Sequence, residues 1–369
     1  MTSLATKLVP EMVKNLIPYQ SARRIGGQGH IWLNANELEE SESYGESVRY
    51  NRYPDFLPHV IEQAYLEYTQ QQNLDGAALS GKLLAVRGAD EGIDLLIRTF
   101  CQPGQDQIIV CPPTYAMYEF CADSIAVRTR KIPLAEDFSL DVAAILPHLS
   151  ESKLLFLCSP NNPTGNVIPQ AQMIALLEAA KDSTLVVVDE AYIEFAPESS
   201  VISLMAQYPH LIVIRTLSKA FGLASIRVGF LLADTSVMGY VKRLIPPYPI
   251  ADPSALIAKK ALLPEGLRAM HEQTETLIRV RDAFAAAVAA LSFVEKVYPS
   301  STNFVLVKFN TDDCLYEYLL QKGIVTRNQA HDPRLNRCVR ISIGTESSML
   351  ETLQALKDYP FNTMNQATA

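Results

Sequence analysis

Several features are missing from this 369-residue sequence, and each absence closes off a class of protein. There is no run of about 18 apolar residues, the length a helix needs to span a bilayer. The longest apolar helical segment, Ala283–Leu291, directly follows the charged stretch Arg279–Asp282. The opening residues MTSLATKLVPEMVKN lack the apolar centre of a secretory signal, so no membrane partner and a cytoplasmic location are expected. Six cysteines form no C-x-x-C pair and no zinc spacing, so reduced thiols and no metal are expected. Basic residues are not in excess. With 40 acidic and 32 basic residues the net charge is −8, which disfavours nucleic acid as a partner. The short basic run Arg128–Lys131 reads as a solvated strand end. No G-x-G-x-x-G follows a strand, no G-x-S-x-G occurs, and the six histidines stand singly. A nicotinamide dehydrogenase, a serine hydrolase and a zinc enzyme are therefore disfavoured.

What is present is an ordinary globular composition, 48% apolar and 20% charged, long enough for about two domains. From Gly88 to Ala233 short apolar runs alternate with helical patterns. Glu91–Cys101 is amphipathic, and Pro169–Lys181 reads as a helix. Gln107–Cys111, Lys153–Cys158, Leu185–Asp189, Leu211–Arg215 and Val228–Ala233 read as strands. Continuous apolar strands alternating with helices predict an α/β fold whose mostly parallel sheet is covered on both faces. Beyond Pro246 the texture changes. A long Ala-rich helix over Gly266–Leu291 precedes strands near Asn303–Phe309 and Cys338–Ile343, with helices near Asp312–Lys322 and Glu346–Lys357. This predicts a smaller α+β domain. The expected division is an arm with part of the small domain (1–45), a large domain (46–263) and a small domain (264–369).

Sites on open α/β sheets gather at the carboxyl ends of strands. Three polar loops each follow a predicted strand: Ser159–Gly165, Asp189–Tyr192 and Thr216–Gly222. Singly each has a plain explanation. Asn162-Pro163-Thr164-Gly165 is a good turn, Asp189 is a possible cap, and Lys219 resembles any surface lysine. The ordered set Asn162, Asp189 with Tyr192, Ser218-Lys219 and Arg227 is harder to dismiss.

That order resembles the fold-type-I aminotransferases, which use pyridoxal 5'-phosphate. Further segments resemble the histidinol-phosphate aminotransferase family: Leu33-Asn-Ala-Asn-Glu37, Arg52-Tyr-Pro-Asp55, Arg87-Gly-Ala-Asp-Glu91, Cys111-Pro-Pro-Thr-Tyr115, Arg215-Thr-Leu-Ser-Lys-Ala-Phe221 and Val339-Arg-Ile-Ser-Ile-Gly344. The resemblance runs from about Pro18 to about Leu356. It implies aminotransfer between L-histidinol phosphate and 2-oxoglutarate, giving imidazole acetol phosphate and L-glutamate in histidine biosynthesis. An aromatic amino-acid aminotransferase and a phospho-amino-acid decarboxylase are the alternatives on the same fold. A non-catalytic cofactor-binding regulator would need a DNA-binding module, for which this acidic chain leaves no room.

The resemblance also implies roles. Lys219 would hold the cofactor and move a proton. Asp189 would face its ring nitrogen, while Asn162 and Tyr192 would face its ring oxygen and Tyr115 would stack on the ring. Ala89 and Asp90, opening a helix with Asp90 as an N-cap, would bind the phosphate together with Ser218 and Arg227. Tyr53 would reach the phosphate from the neighbouring subunit of a homodimer. Arg340 and Arg327 would hold the phosphate of one substrate and a carboxylate of the other, and Tyr19 belongs to an arm over the pocket. Two positions depart from the family pattern: Ser225 stands where glycine is common, and Asn328 where aspartate often follows the second arginine.

Overall fold

A computed structural model describes residues 2–19, 21, 31–40, 50–55, 57–71, 82–311 and 313–361. Among them, seven strands form one sheet: β1 (Leu83–Val86), β2 (Gln107–Val110), β3 (Arg128–Lys131), β4 (Leu154–Cys158), β5 (Leu185–Asp189), β6 (Leu211–Thr216) and β7 (Gly229–Leu232). Their order is β1-β7-β6-β5-β4-β2-β3. Strands β2 to β6 pair in parallel, whereas β7 runs antiparallel to both its neighbours. Every residue of β4, β5 and β6 is buried, which is why these segments are apolar throughout rather than alternating. The basic run Arg128–Lys131 is the edge strand β3, whose exposed cationic side chains discourage further pairing.

Side chains of successive strand residues point to opposite faces. One face packs Phe156, Val187 and Ile214 against the helices Gly88–Phe100, Met117–Ser124 and Thr235–Leu244. The other packs Leu155, Val188 and Val213 against the helices His59–Gln71 and Gln170–Ala180. Residues near the amino terminus join the first of these cores. Ala5, Val9 and Val13 are buried there, and Arg243 donates to the carbonyls of Val13 and Lys14.

A second sheet is antiparallel, in the order β10-β11-β9-β8, from β8 (Val294–Val297), β9 (Phe304–Phe309), β10 (Arg327–Asn328) and β11 (Cys338–Ser342). The helix Pro264–Ala289 serves both sheets. Leu267 and Met270 lie in the core of the large one, and Val280, Phe284 and Val288 in the core of the second. Along β11 the alternation is functional: Val339 and Ile341 enter the second core, while Cys338 faces the large sheet. Arg340 shares the face of Cys338. Among the described residues no helix is long and apolar enough to cross a membrane.

Candidate active site

The carboxyl ends of the adjacent strands β4, β5 and β6 release the three loops singled out in the sequence, and a cavity of about 130 Å³ opens where they meet. Nine of the predicted residues line it: Ala89, Asp90, Tyr115, Asn162, Asp189, Tyr192, Ser218, Lys219 and Arg227. Cys158, Ala191, Thr216 and Ala224, which the sequence reading did not select, complete the lining.

At the deep end, Asp189 is 2% exposed and uses both carboxylate oxygens. Oδ1 accepts from the backbone N–H of Ala191 (3.0 Å), and Oδ2 accepts from the hydroxyl of Tyr118 (2.8 Å). Burial pushes this carboxyl up to about 6, and these two donors hold it lower than burial alone would. Lys219 lies on the same cavity. Burial, helped by the nearby guanidinium of Arg340, lowers its amine below the ordinary lysine range. Its Nζ is 5.6 Å from the Tyr192 ring centre.

At the other end lies a helix N-terminus. The expectation that Asp90 caps this helix is not met. The helix begins at Gly88, with Arg87 as its cap residue, so Asp90 stands one turn position too late to cap it. Its carboxylate serves side chains instead, accepting from Tyr115 Oη (3.0 Å) and pairing with Arg227 Nη2 (3.3 Å). Two glycines meet at this helix start. Gly88 adopts a φ of +76°, and a Cβ there would lie 2.5 Å from Arg227 Nη2. A Cβ on Gly229 of β7 would lie 2.7 Å from the Gly88 carbonyl carbon and 2.8 Å from the Ala89 nitrogen. The two glycines bring the helix end, the Arg227 fork and Ser218 together, with Arg227 Nη1 3.4 Å from Ser218 Oγ. Arg227 itself sits in the left-handed region at φ +55°, a conformation that costs a non-glycine residue about 1 kcal/mol or more. Ser225, in the turn Ala224–Ile226 just before it, is exposed, so its extra atoms displace nothing in the core.

The second sheet reaches this cavity through a hydrogen bond from Arg340 and through the Phe304 ring, which packs edge-on against Tyr192 at 5.4 Å. Arg340 Nη1 donates to Asn162 Oδ1 at 2.5 Å, and Asn162 Nδ2 lies 3.4 Å from Tyr192 Oη. Arg340 also lies over the Phe304 ring, 5.3 Å from its centre, and its buried Nε has no hydrogen-bond partner among the described residues. Arg327 faces Arg340 across the β10–β11 register. Tyr53 and Tyr19 do not line the cavity. Tyr53 stacks on Tyr248 with ring centres 4.6 Å apart and is 51% exposed, and Tyr19 is 67% exposed.

The sequence reading missed Tyr118. It is the second residue of the short helix Met117–Ser124, fully buried and stacked on Phe156 (5.0 Å), where spacing alone makes it a core residue.

A parallel sheet whose carboxyl-end loops gather a buried lysine, a buried carboxylate and an anion-ready helix end defines a class of cofactor-dependent group-transfer enzymes. The model of the family described as aminotransferase class I and II matches residues 28–356, and the chain belongs to that family. Its relatives narrow the class to histidinol-phosphate aminotransferases. The protein of that name from Aeromonas hydrophila subsp. hydrophila is 46% identical over 354 residues, covering 96% of this chain and 98% of its own. Histidinol-phosphate aminotransferase 1 of Haemophilus influenzae (strain 86-028NP) is 43% identical over 354 residues, covering 96% and 99%. The crystal structure of the Sinorhizobium meliloti histidinol-phosphate aminotransferase in complex with pyridoxal-5'-phosphate superposes with a TM-score of 0.73 at 26% identity, covering 83% of this chain and 82% of that one.

Proposed function

We propose that the chain transfers the amino group of L-histidinol phosphate to 2-oxoglutarate, giving imidazole acetol phosphate and L-glutamate, with pyridoxal phosphate as its cofactor. The observation that carries this reading is the single cavity that gathers a lysine with a lowered amine, a buried carboxylate and a helix end with Arg227. These residues fit the cofactor. The cationic fork and free backbone N–H groups suit a phosphate, and the two glycines leave the helix end open where a Cβ would fill it. When bound, the cofactor supplies an aldehyde that condenses with amines and a ring that accepts the electrons released at the substrate Cα.

The chain's own residues divide the remaining work. Lys219, its amine lowered by burial, would hold the cofactor and then take and return the proton at Cα. Asp189 would hold the ring nitrogen and keep it protonated. Asn162 and Tyr192 would hold the ring oxygen, and Tyr115 would cover the ring. The backbone N–H groups of Ala89 and Asp90, the Ser218 hydroxyl and Arg227 would bind the phosphate. Arg340, assisted by Arg327, holds the phosphate of histidinol phosphate and, in the second half-reaction, a carboxylate of glutamate or 2-oxoglutarate. One planar guanidinium pairs with either group.

Further parts of the reading concern assembly. Tyr53, exposed here, completes the phosphate site of the neighbouring subunit in a homodimer, and Tyr19 belongs to the arm over the pocket. The large domain spans 46–263 and the small one 264–369, with residues 1–45 as the arm and part of the small domain, apart from Ala5, Val9 and Val13, which pack with the large sheet. The enzyme works in the cytoplasm.

The test is spectroscopic. Adding L-histidinol phosphate to the cofactor-loaded protein should convert the cofactor's visible band to that of its amine form, and 2-oxoglutarate should restore it. Conversion only with tyrosine or phenylalanine would move the enzyme to the aromatic aminotransferases. Without any visible band in the loaded protein, the reading built on Lys219 fails.

A further inference from the structure

We infer that Tyr118 is a positioning residue for the cofactor ring, acting through Asp189, whose carboxylate it fixes in orientation and holds ionised at the cavity wall. The inference rests on the reading of Asp189 as the partner of the ring nitrogen.

The geometry is specific. Asp189 ends β5 on the face that Phe156 and Cys158 share, so its carboxylate emerges among apolar and weakly polar groups rather than water. A buried carboxylate in such surroundings becomes neutral unless donors stabilise its charge. Two donors are present among the described residues. The Ala191 N–H on Oδ1 comes from the same strand end and is fixed by the backbone. The Tyr118 hydroxyl on Oδ2 comes from another element, the helix Met117–Ser124. Together they fix the carboxylate plane, since each oxygen has one donor of its own.

Tyr118 is suited to the task by what surrounds it. Its ring is clamped between Phe156, stacked at 5.0 Å, and Tyr115, edge-on at 5.8 Å. Rotation away from Asp189 would break both contacts. Burial and the neighbouring carboxylate raise its phenol well above the usual value, so the hydroxyl keeps its proton and donates at every working pH. The other titratable groups near Asp189 are Cys158, Tyr115, Tyr192, Lys219 and Asp90. Burial keeps the thiol and both phenols protonated, Lys219 lowers the carboxyl and Asp90 raises it. Among these neighbours Tyr118 alone hydrogen-bonds the carboxylate with a side chain.

The hydroxyl can be removed cleanly, because Tyr118→Phe keeps both ring contacts. A double-mutant cycle with Asp189→Asn separates an effect passed through Asp189 from a general loosening of the fold. The quantity measured is the affinity of the cofactor-free full-length chain for pyridoxal phosphate, followed by fluorescence quenching. Tyr118→Phe should weaken binding about tenfold in the native background and less than twofold in the Asp189→Asn background. In the cofactor-free chain, the titration of the Asp189 carboxyl carbon followed by ¹³C NMR should move upward by a pH unit or more in Tyr118→Phe. Equal losses in both backgrounds, no loss in the native one, or an unmoved Asp189 titration would each overturn the inference. If Asp189→Asn alone leaves cofactor affinity and turnover unchanged, it is the ring-nitrogen reading that fails, and the inference goes with it.

Discussion

Asp189 and Glu190 are consecutive in sequence, both buried and both acidic, yet the sheet sends them to opposite faces. Asp189 looks into the cavity, where its donors are a phenol and a backbone amide. Glu190 looks the other way and meets a cation. Its Oε2 pairs with Arg215 Nη2 at 2.8 Å and Nε at 2.9 Å, its Oε1 accepts from Val201 N at 2.6 Å, and Ser200 Oγ bridges to Arg215 Nη2 at 2.9 Å. Neither partner of this pair is more than 1% exposed in its side chain. On one face, then, a carboxylate is held by neutral donors at the wall of an open cavity. On the other, the charge is consumed within the fold. The buried ion pair ties β5 to β6 just below the loops that carry Asp189 and Lys219. The cavity face is built to be completed by a ligand, and the opposite face is already complete.

Substitutions on the two faces should therefore separate chemistry from stability. On the cavity face, Lys219→Ala should abolish transfer, with no borohydride-trapped cofactor on the protein and an unfolding midpoint close to native. Another lysine carrying the trapped label would remove Lys219 from its role. On the opposite face, Arg215→Met should do the reverse. It leaves Glu190 charged and unpaired in the interior, at a cost of about 3–5 kcal/mol in denaturant unfolding. At permissive temperature, turnover should stay within a few-fold of native. A large loss of turnover in a fully folded Arg215→Met protein would erase the distinction between the faces.

Arg340→Ala sharpens the comparison from the second sheet. Losing its charge-assisted contact should weaken histidinol phosphate binding by about 2–3 kcal/mol, read as a raised Kd with stability little changed. Unchanged affinity would place the substrate phosphate elsewhere.

The smallest expected effect concerns Glu194, on the same side as Arg215. Burial raises its carboxyl to about 7 despite the nearby guanidinium, and Oε2 has no hydrogen-bond partner among the described residues. Arg215 is one cation near two carboxylates, and Glu190 has the direct contacts. Because the folded value lies above the unfolded value near 4.5, the folded state binds the proton more tightly. Stability from this group is full below about pH 4.5 and is lost as pH rises toward 7. Glu194→Gln should remove that dependence, stabilising the protein by on the order of 1–3 kcal/mol at pH 8 relative to pH 4.5. Urea unfolding at the two pH values measures it, and parallel losses in native and variant proteins would count against the assignment.

Much of this arrangement was legible in the chain. LLFLC, LVVVD and LIVIR are buried on both faces and read as strands without ambiguity, and the polar residues after each run fall into one cavity because adjacent parallel strands end together. Less was legible where a position depends on distant backbone. The contact of Gly229 in β7 with the Gly88–Ala89 peptide is encoded by no local pattern, and Asp90, read as a cap, stands inside the helix. Short strands such as β1 and β8 carry too few residues to show a period. Tyr118 and the Glu190–Arg215 pair were hidden for a related reason. A tyrosine in a short helix and an arginine inside an apolar strand acquire meaning only from residues 71 and 25 positions away.

The contact between Gly229 and the Gly88–Ala89 peptide is backbone against backbone, with no side chain that a second substitution could shorten. The two positions therefore behave as one heritable unit. Alanine at residue 229 cannot be rescued by a smaller neighbour, only by shifting the helix itself, and that shift would carry the amides at the helix start away from Arg227 and Ser218. Variation along this chain should be freest on exposed helix surfaces and most restricted at this pair, where the lack of a side chain is itself what must be inherited.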